Sequence, residues 1–442
     1  MPLHDSRRVS VLLGLLFGLA GMGSSSAAIV LPTMADDLGV PIGVAAWTIS
    51  LYVLMLAVTT AVYGRVSDLV GIRVPLLVGI GLMTGGALVA SLAPSYGVLL
   101  VARMCQGAGA AAVPTLGVAI LSTRYAGEVR SLAFGRLAGI AAAVSCLGPL
   151  AGGVVEEHLG WRAVMALPIL GAAVIPFLWH TLTGEGTGAR LDVLGAVLVA
   201  LTAGGLVLLV QSPTVGAAVA VVGGLLLVLG VPTVALWVRR RPDGFLPVEV
   251  VRNPAVIRSA VAAAAVPAAW FAQLVGVPAV LVHVGWQPWE VGALLLPSAA
   301  FALVVPRIVG PLLTRIGAAR SLAVAGLIAS GALVLAAIGT SAVLPVVLVL
   351  AVVLVTVAFG LGQPALSAAV GDAVDEDVRG VALGIATLLF LVGGSVGSAV
   401  VAGLGDVIGV PASLGVLAVL PLLGLVVLAP QLRRTRVPVL VS

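Results

Sequence analysis

Long unbroken apolar runs are the feature of this sequence that most restricts its fold. An α-helix needs about twenty predominantly apolar residues to cross the hydrocarbon core of a bilayer, and runs of that length recur along the whole chain. The strands of a membrane β-barrel would alternate in polarity over about ten residues, whereas these runs do not alternate. The sequence therefore predicts an all-α polytopic membrane protein.

The runs fall at fourteen places, in two series of six separated by a pair, and we number them spans 1 to 14. They lie at roughly 9–31, 43–63, 75–94, 97–121, 131–155 and 162–181, then 191–211 and 215–238, then 257–283, 288–308, 318–340, 342–368, 378–404 and 409–429. The predicted parts are a first six-helix bundle (1–185), two linker helices with a cytoplasmic loop (186–256) and a second six-helix bundle (257–442).

The arginine residues predict the orientation. With the amino terminus inside and every run crossing once, nearly all loop arginines fall on the cytoplasmic side, and Arg162 alone lies at an outer boundary. This asymmetry is the positive-inside pattern of membrane proteins. We therefore expect both chain ends in the cytoplasm. Because all 22 basic residues are arginine in a chain rich in Ala, Gly, Val and Leu, we expect a bacterial inner membrane.

Composition and motifs exclude several other classes of protein. Only 9% of the residues are charged, against about a quarter in soluble domains, and the scattered positive charges do not form a nucleic-acid site. The sequence contains no nucleophile elbow, phosphate-binding loop or HExxH motif, which argues against an enzyme or an ATP-driven pump. The two cysteines lie singly within spans, so we expect neither a metal site nor a cofactor.

A short charged turn separates spans 2 and 3 and contains Gly64, Asp68, Gly71 and Arg73. A carboxylate and guanidinium groups between two apolar helices must lie at a membrane face. The two glycines recur in the second series as Gly310 and Gly317, and 128–135 aligns with 377–384. This internal repeat predicts two bundles in the same orientation, as in rocker-type secondary transporters.

The turn resembles the signature G-x-x-x-D-[RK]-x-G-[RK]-[RK] of major facilitator superfamily transporters. Leu69 and Ile72 stand where that signature has basic residues. The resemblance implies a major facilitator fold, with two parallel six-helix bundles plus two extra central helices, 14 transmembrane helices in all. It also implies that Gly64, Asp68, Gly71 and Arg73 form a gating motif.

Span 4 carries Arg103 and Gln106 about two turns inside the membrane. An intramembrane guanidinium is a functional candidate because it must find water, an anion or a carboxylate, although an arginine can also extend to the headgroups. The stretch resembles the R-x-x-Q-G signature of drug antiporters, which implies a role for both residues in proton or substrate coupling.

Span 5 contains Gly148, Pro149, Gly152 and Gly153, which resemble the G-P-x-x-G-G signature of proton-coupled exporters. Proline removes a helix hydrogen bond and small residues admit a neighbouring backbone, which suits a gate or, alternatively, a passive packing kink. The fourteen-span drug:proton antiporters have an aspartate in span 1. This chain has serines at the matching place, so the proton-carrying group is not identified.

Few polar or aromatic side chains are available to line a substrate cavity between the bundles, and their scarcity favours an apolar or amphipathic substrate. Each of them could equally form a hydrogen bond between helices. The candidates are Ser24, Ser25, Ser26, Tyr52, Trp270, Gln273 and Gln363.

These patterns predict a proton-coupled exporter of hydrophobic or cationic small molecules, such as an antibiotic or a secondary metabolite. We expect a monomer whose partners are its substrate, protons and membrane lipid, with no nucleic acid. A uniporter or importer of the same fold stays open because span 1 lacks an acid. A membrane sensor or scaffold is a further alternative, although the printed sequence has no stretch with the composition of a soluble domain.

Overall fold

The computed structural model describes residues 2–125, 127–178, 192–242 and 244–434, and its regular elements there are all helices. The first half contains α1 Pro2–Ile29, α2 Leu31–Leu38, α3 Ile42–Ala45, α4 Trp47–Val70, α5 Arg73–Ser91, α6 Tyr96–Ala110, α7 Ala112–Arg124, α8 Gly127–Cys146, α9 Gly148–Ala166, a 3-10 helix Leu167–Val174 and α10 Ile175–Leu178. The rest contains α11 Val193–Val215, α12 Ala217–Arg240, α13 Val248–Arg252, α14 Pro254–His283, α15 Pro288–Leu294, α16 Leu296–Ile316, α17 Ala318–Ser341, α18 Pro345–Gly371, α19 Glu376–Ile408, α20 Val410–Leu417 and α21 Val419–Arg434.

The described helices are long and apolar enough for the fourteen predicted crossings of a membrane. Thirteen stretches are long and apolar enough to span, and one of them, Leu132–Leu178, has 47 residues. As straight helix it would be about 70 Å long, twice the hydrocarbon thickness, but Gly160 interrupts it with φ 77° and ψ 169°. This stretch therefore holds both span 5 and span 6. The predicted boundary at residue 185 lies outside the described residues.

Several spans consist of two helices in line, and prolines account for the breaks. Proline has no N–H to donate, and its ring clashes with the carbonyl group four residues earlier, so the helix is disturbed in the turn before it. The breaks lie at Ala111 before Pro114 in span 4, at Leu147 before Pro149 in span 5, at Leu295 before Pro297 in span 10 and at Ala418 before Pro421 in span 14.

Equivalent turns in the two series share their backbone conformation. Gly71 ends span 2 with φ 78° and ψ 175°, and Gly317 ends span 10 with φ 79° and ψ 165°. Side chains are disfavoured at such positive φ values. Glycines with positive φ also occur in both turns that follow spans 1 and 9, Gly39 and Gly285, and in both that follow spans 5 and 13, Gly160 and Gly409.

The crossings give the molecule two faces, which we name by one residue each. The Asp37 face carries the turns at Asp37, Gly160, Gly285 and Gly409, and the Gly71 face carries the turns at Gly71, Arg241 and Gly317. The two series meet where span 2 packs on span 13 and where span 5 packs on span 10. Spans 7 and 8 pack on each other, and span 7 also contacts spans 2 and 13.

Candidate transport site

Arg103 lies inside the first bundle with none of its side chain exposed. Its Nη1 donates to the carbonyl oxygen of Gly23 at 2.9 Å and to Oε1 of Gln106 at 2.5 Å. Its Nε donates to the carbonyl oxygen of Thr48 at 3.1 Å. One guanidinium on span 4 is therefore bonded to the backbones of span 1 and span 2, and it does not extend to the headgroups.

Tyr52 completes the surroundings of this guanidinium. The Cζ atom of Arg103 lies 4.4 Å from the centroid of the Tyr52 ring. A cation over an aromatic face is stabilised by about 2 kcal/mol or more where both groups are desolvated, and Tyr52 is only 1% exposed. The Tyr52 hydroxyl donates to the carbonyl oxygen of Ala20 at 2.7 Å, which fixes the ring between spans 1 and 2.

Within the described part of the chain no carboxylate pairs with Arg103. The ion pairs found there join Arg124 to Asp5 and Arg162 to Asp37, both at the faces of the molecule. The Nη2 atom of Arg103 and the Nε2 atom of Gln106 are buried without a hydrogen-bond partner in that part. Because buried charges and donors are costly when unpaired, water or an acceptor group of a bound molecule would be stabilised at these two atoms.

Close backbone contacts hold the cluster together. A Cβ atom added to Gly107 would overlap the carbonyl group of Tyr52. A Cβ atom on Gly23 would lie 3.3 Å from Nε2 of Gln106 and 3.0 Å from Cγ of Pro168. Spans 1, 2, 4 and 6 therefore meet around Arg103 at a distance that larger residues would not allow.

The glycines of span 5 pack against two different neighbours. Gly148 and Gly152 face span 1, where an added Cβ would collide with Ser25 and Ser26. Gly153 faces the opposite bundle, and its added Cβ would lie 2.5 Å from the carbonyl oxygen of Pro288 in span 10. The interface is reciprocal, because a Cβ on Gly292 of span 10 would lie 2.6 Å from the carbonyl oxygen of Pro149.

A second contact between the halves joins span 2 to span 13. The hydroxyl oxygens of Ser50 and Ser398 are 2.9 Å apart, and the Ser395 hydroxyl donates to the carbonyl oxygen of Ser50 at 2.7 Å. This contact and the Gly153 contact both lie toward the Asp37 face. The two halves are therefore tightly packed against each other toward that face.

The candidate cavity residues do not form one wall. The hydroxyls of Ser24, Ser25 and Ser26 donate to the carbonyl oxygens of Gly21, Ser145 and Met22, at 2.9, 2.8 and 2.6 Å. Tyr52 belongs to the Arg103 cluster, whereas Trp270 begins an aromatic row with Phe359 and Phe390, with ring centroids 5.4 and 5.5 Å apart. Gln363 is half-buried.

Gln273 in span 9 has a buried side-chain amide with no hydrogen-bond partner among the described residues. It is 2% exposed, and neither its Oε1 nor its Nε2 has a hydrogen-bond partner in the described part of the chain. A buried amide normally satisfies both groups. Gln273 therefore stays a candidate for the cavity, with both polar groups of its amide available to water or substrate in the described part of the chain.

The structure describes the backbone of the gating motif. Gly71 requires its positive φ to end span 2, and Arg73 begins span 3 with an exposed side chain. A Cβ atom added to Gly64 would lie 3.8 Å from Cγ2 of Thr115, which is an ordinary van der Waals distance. The side chain of Asp68 lies outside the described part, so the role that the resemblance gives it stays a prediction.

One carboxylate at the Asp37 face was missed by the sequence analysis. Asp37 Oδ2 accepts hydrogen bonds from Nη1 of Arg162 at 2.6 Å and from Nε1 of Trp161 at 3.1 Å. These hydrogen bonds lower the pKa of Asp37 below its usual value, and the bond from Arg162 has the larger effect. The sequence could have indicated this site, because the acidic pair Asp36 and Asp37 lies in a loop predicted on the same side of the membrane as Trp161 and Arg162.

The chain is similar in sequence to a known family and to several known proteins. It matches the family model described as Major Facilitator Superfamily over residues 13–398 and again over 259–440. Multidrug resistance protein Stp of Mycobacterium tuberculosis (strain CDC 1551 / Oshkosh) is 29% identical over 280 residues, which are 62% of this chain and 52% of Stp. Cephamycin export protein CmcT of Amycolatopsis lactamdurans is 32% identical over 317 residues, 67% of this chain and 64% of CmcT. The chain thus spans between about half and two thirds of the length of these relatives.

Solved structures show the same fold at low sequence identity. A POT family transporter in complex with a thioalcohol conjugated peptide has a TM-score of 0.71 and 15% identity, and the match covers 96% of both chains. The peptide transporter POT in complex with sulfate has a TM-score of 0.71 and 17% identity, and the match covers 97% of this chain and 95% of that one. At such identities the likeness concerns the fold alone.

Proposed function

This chain belongs to the Major Facilitator Superfamily, and from that premise we propose that it exports hydrophobic or cationic small molecules in exchange for protons. It is a multi-pass membrane transporter and not an enzyme. The names of Stp and CmcT, which refer to multidrug resistance and cephamycin export, support drugs and antibiotics as the first substrates to test.

The observation that carries the proposal is the buried guanidinium of Arg103, which bonds to spans 1 and 2 and whose Nη2 atom has no partner among the described residues. A guanidinium keeps its proton in proteins, so Arg103 does not carry the transported proton. Its fixed charge disfavours a second positive charge nearby in a medium of low dielectric constant. The Arg103 charge would allow at most one further positive charge nearby, so a proton and a cationic substrate, which also repel each other, would compete for that place as antiport requires.

The closed contacts toward the Asp37 face support a working cycle. We propose that the Gly71 face is cytoplasmic, since the exposed Arg73, Arg124, Arg252 and Arg315 lie there and basic residues favour that side. The structure then corresponds to a state closed toward the outside of a bacterial inner membrane. In the proposed cycle residues 1–185 and 257–442 rock against each other, and the contacts toward the Asp37 face open and close in turn.

A facilitator of the same fold is the second candidate. It is favoured by one observation, that Arg103 has no carboxylate partner among the described residues. A facilitator needs no proton carrier, because its substrate moves down its own gradient.

Transport by the purified protein in vesicles tests the proposal. A growth-inhibition panel of lipophilic cations and β-lactams in an efflux-deficient bacterial host would first identify a substrate. With that substrate, we expect accumulation against its gradient when a pH gradient is imposed, and release of protons when substrate is added. Movement that follows only the substrate gradient and ignores pH would support the facilitator. Vesicles without the protein are the control.

A further inference from the structure

The carboxylate of Asp192 joins three segments at the Gly71 face. It caps span 7 by accepting from the backbone N–H of Gly195 at 3.0 Å. It accepts from Nε1 of Trp237, near the end of span 8, at 3.0 Å. It also accepts from the backbone N–H of Phe245, in the loop that leads to span 9, at 2.9 Å. One side chain therefore fixes both extra helices and the loop that follows them.

Asp192 is charged at neutral pH in this setting. Burial alone would raise its pKa, but hydrogen bonds from Phe245, Gly195 and Trp237 and the nearby charge of Arg241 outweigh burial and lower the pKa below the usual value. Hydrogen bonds to a charged acceptor are about twice as strong as those between neutral groups. The three segments are thus held by strong interactions.

Glycines leave room for this carboxylate. A Cβ atom on Gly244 would lie 2.6 Å from Oδ2 of Asp192, and a Cβ on Gly195 would collide with the same oxygen. The carboxylate is therefore enclosed by backbone on both sides. Such an arrangement is more than an ordinary helix cap, which needs only one backbone donor.

The bond to Phe245 places an aromatic ring next to the joint between the two halves. Phe245 is 4% exposed and forms a buried cluster with Ala196 of span 7 and Leu388 of span 13. Val62 of span 2 packs against this cluster. Spans 2 and 13 belong to different halves, and a change in their separation at the Gly71 face must rearrange the cluster.

We propose that Asp192 and Phe245 form a latch that links spans 7 and 8 to the joint between spans 2 and 13 and stabilises the state with the Asp37 face closed. Asp192 is then a positioning residue that acts through Phe245. The inference rests on the proposed alternating-access function. It gives the two extra helices a role, which is to set the balance between the two states.

The test combines transport with a readout of the state. Asp192→Asn keeps the shape of the side chain but replaces one acceptor oxygen by an NH2 group, which cannot accept hydrogen bonds from the backbone and indole N–H groups. In a background with Cys105→Ser and Cys146→Ser, cysteines in place of Ser50 and Ser398 report the closed Asp37 face by the yield of their disulfide. Since a hydrogen bond to a charged group can change an equilibrium by about tenfold, we expect a clearly lower disulfide yield, with the maximal transport rate changed severalfold and KM nearly unchanged. Asp406→Asn, at an exposed acid, is the matched control and should behave as the parent.

Phe245→Ala keeps the backbone N–H that binds Asp192 and removes only the ring, so it tests the latch even where Asp192→Asn folds poorly. It should lower the disulfide yield in the same direction, and the double variant should show less than the sum of the two effects, since residues acting as one unit are not additive. Unchanged disulfide yield and rate in folded variants would overturn the latch. A parent protein that transports no substrate, while the disulfide yield still responds to Asp192, would refute the proposed function and leave the latch standing.

Discussion

The hydroxyl oxygens of Ser50 and Ser398 lie 2.9 Å apart, and this hydrogen bond joins span 2 of one half to span 13 of the other. The Ser395 hydroxyl adds a second bond across the same joint, to the carbonyl oxygen of Ser50 at 2.7 Å. In a cycle of alternating access both bonds must break each time the Asp37 face opens.

We therefore expect a disulfide between cysteines at positions 50 and 398 to arrest transport. The two hydroxyl oxygens are 2.9 Å apart, so cysteine sulfurs at the same positions would lie close to the bonding distance of about 2.05 Å. Substrate efflux before and after oxidation measures the effect, and reduction should restore the activity. Each single cysteine variant is a control. Full transport by the oxidised double variant would show that this joint does not open.

The contact of Gly153 with Pro288 predicts a graded steric effect. Gly153→Ala adds a Cβ atom 2.5 Å from the carbonyl oxygen of Pro288, and such overpacking costs about 1–3 kcal/mol. We expect about tenfold less efflux and a lower yield of the 50–398 disulfide. The matched control is Gly135→Ala in the same span, where nothing lies within 4 Å of an added Cβ. Equal effects of the two substitutions would contradict the gate assigned to Gly153.

Sequence patterns predicted the spans because a bilayer demands long apolar runs, whatever their tertiary contacts. They also predicted the repeat, because Gly71 and Gly317 occupy turns that need a positive φ. The sequence singled out Arg103 for a similar reason, since few guanidinium groups occur within apolar helices.

The partners of these residues could not be predicted in the same way. Arg103 bonds to the carbonyl oxygens of Gly23 and Thr48, and every residue has a carbonyl, so no side-chain pattern marks the site. The same holds for Asp192, whose partners include the backbone of Phe245. Ser25 was a candidate for the cavity, but its hydroxyl bonds to the backbone of span 5, a choice that depends on helix rotation.

The Asp37 site predicts a pH dependence of stability. The pKa of Asp37 is lowered by its hydrogen bonds to Arg162 and Trp161, so its contribution is present above the pKa of an unfolded aspartate, about 3.9. That contribution is lost as the pH falls through the lower folded-state pKa. We expect Asp37→Asn to lower the melting temperature at pH 7 and the difference to shrink progressively as the pH falls below about 3.9. Asp406→Asn is the control, and a difference that grows in acid would contradict the assignment.

Labelling of single cysteines tests the orientation. In the variant without native cysteines, Ser95→Cys places a thiol on the Asp37 face and Arg252→Cys places one on the Gly71 face, both at exposed positions. An impermeant maleimide added to intact cells should label position 95 and leave position 252 unlabelled until the cells are opened. Labelling of position 252 in sealed cells would show that the Gly71 face lies outside the cell and would contradict the proposed topology.

Arg103 gives the most direct test of the account. Its Nε and Nη1 atoms bond to spans 2 and 1, and its Nη2 atom has no partner in the part of the chain that the structure describes, so both the charge and the planar shape of the guanidinium matter. Arg103→Lys keeps the charge but not the geometry, whereas Arg103→Ala removes both. Arg252→Ala, at an exposed arginine, is the matched control.

The deciding measurement is proton-driven efflux by these variants in vesicles, at matched amounts of folded protein. We predict that Arg103→Ala loses about tenfold or more of the activity, that Arg103→Lys keeps only part of it, and that Arg252→Ala is fully active. Near-normal efflux by Arg103→Ala would contradict the central claim that this buried guanidinium couples transport.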